Sequence, residues 1–259
     1  MGGVARRATA IQYLREQAGD HVLVLDAGNT LFGERLATES KGRIIVEALN
    51  AMGYDALTVG TLELSQGIEV LQERAKEANF AILSCNILNT QDEKPIFTPY
   101  IVVQRAGLRY GIIGVSEPEI ANLADIAQVA KVMDPVQSLR KYLPELQKQS
   151  DVIIVLSHVG LEGDKAIAQA IPEIDVIVGG RTRRLLRAPE MVGSTVIVQA
   201  GYDGEWLGKL GVTITAEGKV SDPWVDIVPL GPDVADHPEL AALVARYNQL
   251  YPPPTPGPR

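Results

Sequence analysis

The chain has 259 residues, of which 46% are hydrophobic, enough for one large or two small domains with a substantial core. Its formal net charge of −8 argues against nucleic-acid binding, and its single cysteine, Cys85, excludes an intrachain disulfide and a cysteine-based zinc site. No apolar run approaches the roughly 20 residues that span a bilayer, so the sequence predicts no transmembrane segment.

Strands and helices alternate through the first third of the chain. The hydrophobic pattern predicts helices at residues 8–17, 38–52 and 68–78, the first of them ended by Gly19. It also predicts strands at residues 21–25, 56–59 and 81–84. The first two of these strands lead into the loops DAGNTLFG and GTLELSQG.

The middle of the chain contains the stretch on which the functional interpretation depends. A hairpin is predicted at residues 100–105 and 108–115, then a helix at 136–149. Residues 151–187 follow, with strands at 152–156 and 176–178 around a helix at 163–171. Because both strands are apolar throughout, we expect a buried strand–helix–strand unit. The loops SHVG and GGRTRR then leave the same sheet edge, where α/β proteins usually place their chemistry.

The last third adds strands and one more helix. Strands are predicted at residues 195–199, 207–215 and near 224–228, with a turn at Glu217 and Gly218. A helix follows at 237–250. The Pro-rich tail at 251–259 is expected to be extended. These elements predict a layered α/β domain at residues 1–230, a C-terminal helix within 231–250 and the tail.

An ordered series of motifs resembles a known family. The segments are GGVARRAT, VLVLDAGNTLFG, DALTVGTLELSQG, LSCNI, LSHVGLEGDKAIAQAIPEIDVIVGGRTR and VQAGYDGEWLGKLGV. In this order they resemble the calcineurin-like metallophosphoesterases, and among these the 5′-nucleotidases, over residues 2–228. The resemblance implies a four-layer α/β/β/α sandwich of two mixed sheets. It also implies that residues 231–250 correspond to the linker helix of 5′-nucleotidases, and we expect their second, substrate-binding domain to be absent.

The resemblance fails at the metal-binding motifs. Members of the family hold two metal ions with a D-x-H loop, the Asp of G-D, the Asn and His of G-N-H-E, a later histidine and the two histidines of G-H-x-H. In this chain Glu63 and His158 keep the expected residue type, and the D-x-H motif is missing. The other positions are substituted: Asn29 for the Asp of G-D, Thr61 and Leu62 for the Asn and His of G-N-H-E, and Arg181 and Arg183 for the histidines of G-H-x-H.

These substitutions remove the ligands of a two-metal centre. Such a centre depends on carboxylates and imidazoles that clamp two cations, whereas arginine is permanently cationic in proteins. We therefore expect no catalytic residue and no cofactor, with His158, Asn29 and Glu63 as vestigial metal positions. A residual divalent ion, Mn²⁺ or Zn²⁺, is left open by the sequence.

Each of these residues also has a simpler interpretation. His158 would be a hydrogen-bonded structural histidine, Asn29 a loop residue that tolerates a left-handed backbone, and Glu63 an exposed or capping carboxylate. The arginines, Arg181, Arg183 and Arg184, would form a solvated basic loop. Alternatively, they replace the cations and pair with Glu63, Asp26 or a bound anion.

Three functional hypotheses remain. The favoured one is a catalytically inactive protein that acts as a binding or scaffold subunit. The second is an anion- or nucleotide-binding module that uses Arg181, Arg183 and Arg184. The third is a metal-dependent phosphoesterase whose N-terminal D-x-H segment is missing from this chain.

The resemblance also bears on partners and location. The first strand of the family lies inside a sheet, so its absence predicts exposed backbone groups unless another segment or chain pairs with them. We expect a protein partner or larger assembly, with a small anion or phosphate as a further ligand and no nucleic acid. The 5′-nucleotidases are largely exported, which favours an extracytoplasmic location, although residues 1–14 do not form a signal peptide.

Overall fold

The computed structural model describes residues 1–216 and 218–254. The α-helices are α1 Val4–Ala18, α2 Arg35–Glu39, α3 Arg43–Met52, α4 Ile68–Glu77, α5 Ala124–Ala127, α6 Pro135–Gln149, α7 Leu161–Ala170 and α8 Pro238–Leu250. The strands are β1 Leu25–Asp26, β2 Ala56–Thr58, β3 Ala81–Leu83, β4 Ile87–Asn89, β5 Tyr100–Arg105, β6 Leu108–Ser116, β7 Ala130–Val132, β8 Val152–His158, β9 Val176–Gly179, β10 Glu190–Val192, β11 Thr195–Val198, β12 Trp206–Ile214 and β13 Val220–Pro229.

The largest sheet has six strands in the order β10-β11-β9-β8-β6-β5. Its four central strands are parallel, and β5 and β10 run antiparallel at the two edges. In the centre, Ile154 of β8 pairs with Ile112 on one side and with Val176 on the other. All seven residues of β8 are buried, which agrees with its continuous apolar sequence. The predicted strand–helix–strand unit is confirmed as β8-α7-β9.

Side chains of β8 alternate between two apolar layers. Ile153 and Val155 pack with α6 and α7 on one face of the sheet. Ile154 and Leu156 point to the other face, where they pack with residues of β2, β3 and β12. A third cluster joins this second strand layer to α1, α3, α4 and α8. The expected α/β class with layers in the order α/β/β/α is confirmed.

The second strand layer is divided into separate sheets. One is three-stranded and parallel, in the order β1-β2-β3, and another is the antiparallel hairpin β12-β13. The strands β4 and β7 form a further antiparallel pair that the sequence did not predict. Close contact between the layers depends on Gly114 of β6, because a Cβ there would lie 2.5–2.7 Å from atoms of Leu83.

Two sequence-based boundaries are wrong for identifiable reasons. The single helix expected at residues 38–52 is two helices, α2 and α3, because Lys41 and Gly42 have φ of 52° and 80°. The strand expected at residues 21–25 is reduced to β1, since Gly19–His21 continues α1 as a 3₁₀ turn. Glu217 of the predicted turn and residues 255–259 of the tail lie outside the described residues.

The C-terminal helix α8 packs against the body of the domain. Leu240 is 1% exposed and belongs to the cluster that α1 and α3 also line. Near the other end, the Tyr247 hydroxyl donates a hydrogen bond to Glu47 of α3. The helix predicted at residues 237–250 is therefore present, and it is anchored at both of its ends.

We expect Leu240→Ala to lower the free energy of unfolding by about 2–5 kcal/mol, because it leaves a cavity beneath α8. Leu250→Ala makes the same change at a side chain that is 64% exposed, and it should have little effect. Urea denaturation of the two variants measures the difference. Equal effects would show that α8 is not packed as described.

Candidate functional site

The ends of strands from both layers meet at one edge of the domain. In the six-stranded sheet, Ser116 at the end of β6 pairs with His158 at the end of β8, and Ser157 pairs with Gly179 of β9. The Ser116 hydroxyl donates to the carbonyl oxygen of Val59, just beyond β2 in the other layer. The loops DAGN, GTLE, SEPE, SHVG and GGRTRR therefore leave the same edge, as the sequence predicts for SHVG and GGRTRR.

The imidazole of His158 lies at the centre of these loops and is enclosed by backbone. A Cβ added to Gly28, Gly60 or Gly180 would lie 2.7–3.1 Å from ring atoms of His158. Side chains larger than hydrogen are therefore excluded at these three positions. The histidine side chain is 2% exposed, although it sits at a loop edge.

The two ring nitrogens of His158 have different surroundings. Nδ1 lies 2.5 Å from the carbonyl oxygen of Ala27, and since a carbonyl only accepts, Nδ1 carries a proton. Nε2 lies 4.0 Å from Oε2 of Glu117. Both of these atoms are buried, and neither has a hydrogen-bond partner in the part of the chain that the structure describes. His158 is thus hydrogen-bonded to the backbone, but its second nitrogen faces an unpaired carboxylate oxygen.

Glu117 is a buried residue of the site that the sequence interpretation missed. It directly follows β6 and its other oxygen accepts a hydrogen bond from the Thr61 hydroxyl. The predicted hairpin ends at residue 115, just before the SEPE loop that contains Glu117. The rule that loops after parallel strands share one edge could have identified this carboxylate.

The carboxylate of Glu63 is saturated by backbone groups. Its oxygens accept hydrogen bonds from the amides of Asn29, Thr30, Leu31 and Gly60 at 2.7–3.0 Å. Burial raises the pKa of Glu63, and the four amide donors act in the opposite direction. Glu63 is therefore neither exposed nor directed at a metal position. It binds the loop after β1 to the loop after β2.

Glu63→Gln should lower the free energy of unfolding by about 2–4 kcal/mol. The variant replaces one carboxylate oxygen with an NH₂ group, which cannot accept a hydrogen bond, so the backbone amides that face this oxygen lose their acceptor. Glu173→Gln, at an exposed position, is the control. Urea denaturation compares the two variants with the parent protein. An unchanged stability of Glu63→Gln would contradict this role.

Asn29 contributes to the same loop contact. Its φ is 60°, a left-handed conformation that asparagine tolerates better than most residues, as expected from the sequence. Its Oδ1 accepts a hydrogen bond from the amide of Leu62 at 2.7 Å. The amide oxygen of Asn29 is thus engaged by the backbone of the GTLE loop.

The arginine loop does not pair as one of the sequence hypotheses expected. Arg181 forms an ion pair with Glu119 at 3.1 Å and donates to the carbonyl oxygen of Val159. Arg183 stacks on the ring of Tyr202, with its guanidinium carbon 5.4 Å from the ring centre. The expected pairing with Glu63 or Asp26 is wrong. Glu63 accepts hydrogen bonds from four backbone amides instead.

The other expected partner of the arginines is also engaged. Oδ1 of Asp26 accepts hydrogen bonds from the Gly28 amide and from the Thr30 hydroxyl. Arg181, Arg183 and Arg184 are all exposed, so the solvated basic loop describes their environment best. Arg181 and Arg183 turn to separate partners, Glu119 and Tyr202.

A buried carboxyl group lies directly behind the arginine loop. Asp164 of α7 accepts hydrogen bonds from Ser157 Oγ at 2.5 Å and from Gln199 Nε2 at 3.1 Å. Gln199 in turn accepts a hydrogen bond from the hydroxyl of Thr182, between the two arginines. Burial raises the pKa of Asp164 to about 7. The sequence interpretation missed this residue, although its spacing of three from Ile167 places it on the apolar face of α7.

Stability should therefore depend on pH through Asp164. Its pKa is raised from 3.8 to about 7 on folding, so the stabilisation is complete below pH 4 and is lost as the pH rises towards 7. The group then accounts for a loss of about 4 kcal/mol across that range. Asp164→Asn should remove this dependence, whereas exposed Asp125→Asn should keep it. Urea denaturation at pH 4, 5.5 and 7.5 tests the difference, and parallel curves for all three proteins would contradict it.

The side chains present do not fit a two-metal centre. Across residues 1–216 and 218–254, no group of three or more His, Cys, Asp or Glu side chains is arranged to hold a metal ion. Glu63 and Asn29 are engaged by backbone amides, and Arg181 adds a positive charge at the same edge. His158 and Glu117 offer one unpaired atom each.

Comparisons with known proteins identify the fold and its relatives. No protein-family model matches the chain. It is 32% identical to snake venom 5′-nucleotidase of Gloydius brevicauda, over 96% of this chain and 47% of the relative. Among solved structures, a 5′-nucleotidase precursor from Thermus thermophilus is 27% identical, with a TM-score of 0.87 over 96% of this chain and 53% of that chain.

A second solved structure, the calcineurin-like phosphoesterase YfkN from Bacillus subtilis, is 25% identical, with a TM-score of 0.82 over 96% of this chain and 89% of that chain. The chain spans about half the length of the curated relatives it matches. The matched part is the N-terminal domain of those relatives.

Proposed function

The chain is a metallophosphoesterase-like domain homologous to the N-terminal domain of 5′-nucleotidases, and we propose that it acts as a binding or scaffold subunit without hydrolase activity. The observation that carries the proposal is the state of the former ligand positions. Substituted residues that are neutral or cationic occupy five of them, and His158 alone keeps the residue type of a ligand. The neighbouring carboxylate of Glu63 is saturated by four backbone amides.

Electrostatics supports the proposal. Metal-dependent phosphate-ester hydrolysis uses cations to activate water and to stabilise the negative charge of the transition state. Those cations require anionic or lone-pair ligands, whereas Arg181 and Arg183 bring two permanent positive charges to the same loops. The hydrogen bonds made by Asn29, Thr61 and Glu63 already hold the loops in place. No metal is required to shape this edge.

An anion- or nucleotide-binding role is the second candidate. It is favoured by Arg183 and Arg184, which are exposed and have no carboxylate partner among the described residues. It is weakened by Arg181, whose guanidinium is engaged by Glu119 and by a backbone carbonyl. The guanidinium of Arg183 is also engaged, because it stacks on the ring of Tyr202. A subunit role in a larger assembly fits these contacts better.

The same relatives favour a location outside the cytoplasm. One of them is a venom protein and therefore acts outside the cell that makes it. Among the described residues, no helix combines the length and apolarity needed to cross a membrane. We infer an extracytoplasmic subunit that meets a protein partner there.

The first test is metal binding and hydrolysis by the purified protein. Calorimetric titration with Mn²⁺ and Zn²⁺ should give no stoichiometric binding, and nucleoside 5′-monophosphates should not be hydrolysed above background with either ion. The physical reason is the loss of anionic ligands at the loop edge. Elemental analysis of the protein as purified completes the measurement.

The His158→Ala variant separates true turnover from contamination. Metal-dependent hydrolysis that this variant abolishes would overturn the proposal. Binding of a nucleoside monophosphate without turnover, weakened by Arg184→Ala but not by the exposed Arg140→Ala, would favour the anion-binding module instead.

A further inference from the structure

A network of hydrogen bonds connects a buried carboxyl group to the arginine loop, residues 180–184. The carboxyl is that of Asp164, which is 0% exposed. Its Oδ2 accepts a hydrogen bond from Gln199 Nε2, and Oε1 of Gln199 accepts one from the hydroxyl of Thr182. Gln199 is buried, whereas Thr182 is exposed to solvent. Thr182 is therefore the outer end of the network, and Asp164 is its inner end.

The side chain of Thr182 fixes the conformation of the arginine loop. Its hydroxyl also accepts a hydrogen bond from the amide of Leu161, the first residue of α7, at 3.3 Å. On either side of it, Arg181 and Arg183 are exposed and have φ of 66° and 55°. A left-handed backbone is unfavourable for arginine, so the closed conformation of the loop depends on the contacts of Thr182.

The carboxyl of Asp164 has only neutral hydrogen-bond partners. Oδ1 lies 2.5 Å from Oγ of Ser157, and Oδ2 faces the amide of Gln199. Gly179 closes the space beside Oδ2, because a Cβ there would lie 2.2 Å from this oxygen. In the described ranges 1–216 and 218–254, no ion pair involves Asp164. An ionised carboxylate is costly in such a place, and burial accordingly raises the pKa of Asp164 to about 7.

The charged and titratable residues of the helices and the edge strand around this carboxyl have other partners. On α7, Lys165 pairs with Glu162 and with Glu190 of β10. On α6, Arg140 donates a hydrogen bond to the carbonyl oxygen of the last residue of α7, and Tyr142 packs on a tyrosine of β5. The remaining charged residues of α6 are exposed: Lys141, Glu145 and Lys148. None of these groups supplies a counter-charge.

The strands and the loop around the carboxyl supply no counter-charge either. Strands β9 and β11 contain no ionisable side chain. At the end of β8, the imidazole of His158 is turned to a backbone carbonyl oxygen. In the arginine loop, Arg181 pairs with Glu119, Arg183 stacks on a tyrosine ring, and all three arginines are exposed. Stabilisation of an ionised Asp164 therefore requires water.

We propose that the arginine loop opens and closes with the protonation state of Asp164. The protonated carboxyl holds residues 181–183 closed through the network, and ionisation opens them so that water reaches the carboxylate. Opening of three residues costs less free energy than unfolding of the whole domain, so the loop responds first. Because Arg181 and Arg183 stand at former metal positions, pH sets how firmly their guanidinium groups are held there. The opening is independent of the proposed function, since it needs neither a partner nor a metal ion.

Proton linkage gives the direction of the effect. The closed loop raises the pKa of Asp164 from 3.8 to about 7, and the open loop returns it towards its ordinary value. The closed form is therefore most favoured below pH 4, and it loses this advantage as the pH rises towards 7. Between pH 5.5 and 8.0 the equilibrium constant for opening should increase by at least about tenfold.

Tryptic cleavage of the purified protein measures the opening, because trypsin cuts after arginine and needs an open segment. The rate of cutting after the three loop arginines is measured at pH 5.5 and 8.0 and is divided by the rate for a synthetic peptide of residues 178–188. This division removes the pH dependence of trypsin itself. The ratio should rise by at least about tenfold between the two pH values. At pH 8.0 the loop should be cut well before the bond after Arg140 of α6, and mass spectrometry identifies the bonds.

Three variants test whether the network carries the effect. Asp164→Asn is uncharged at every pH, so its ratio should stay at the low value of the parent protein at both pH values. Asp125→Asn, at an exposed position, should follow the parent protein. Thr182→Val removes the hydroxyl of an exposed residue, so its ratio should already be raised by about tenfold at pH 5.5.

The proposal is overturned if the ratio of the parent protein is the same at both pH values, or if Asp164→Asn shows the same rise. It is also overturned if the loop and the bond after Arg140 are cut at equal rates, because the whole domain then unfolds. Should Asp164→Asn not fold, Thr182→Val decides, since an unchanged ratio at pH 5.5 contradicts the network. None of these results involves metal binding or hydrolysis, so the proposed function can fail separately.

Discussion

The hydrogen bonds that Glu63 accepts from four backbone amides hold the loop edge of this domain together. A buried carboxylate needs compensation for the loss of hydration, and four donors from two loops supply it. The same hydrogen bonds join the loop after β1 to the loop after β2, so that the two loops form a single unit. The positions of Asn29, Thr61 and Leu62 follow from that unit, because each lies within two residues of a donor or of Glu63 itself. The loss of any one of these four hydrogen bonds would weaken the contact between the two loops.

The other side of the edge is stabilised by a second network of side chains. Asp164, Gln199 and Thr182 connect α7 to the arginine loop, while Glu117 connects to Thr61. In a two-metal phosphoesterase the cations would bridge the same loops. Here protein groups provide bridges between them, which explains how cationic residues can occupy the loop GGRTRR without loss of a defined structure. In this arrangement Nε2 of His158 and Oε2 of Glu117 are left without a hydrogen-bond partner among the described residues.

Sequence patterns predicted the centre of the fold much better than the chemistry of the site. The apolar run of β8 and the helical period of α7 depend on burial, which the sequence reports directly. The contacts of Glu63 depend on which backbone amides two loops turn inward, and no periodic signal records that. The helical period places Asp164 on the buried face of α7, but it does not identify its partners Ser157 and Gln199. The partners of Arg181 and Arg183 also could not be predicted. Long exposed side chains can reach several neighbours, and the partners that they contact here, Glu119 and Tyr202, are distant in sequence.

The loop edge and strand β12 satisfy their polar groups in different ways. At the loop edge Glu63, Asn29 and Thr61 already form hydrogen bonds inside the chain, so a ligand there would have to displace existing bonds. Along β12 the residues that alternate with Leu207 and Lys209 turn their backbone groups away from β13, and no side chain of the strand is fully buried. A metal ion or anion at the loop edge would therefore compete with bonds that the fold itself uses, which is a physical reason for the proposed loss of the family's metal chemistry at this place.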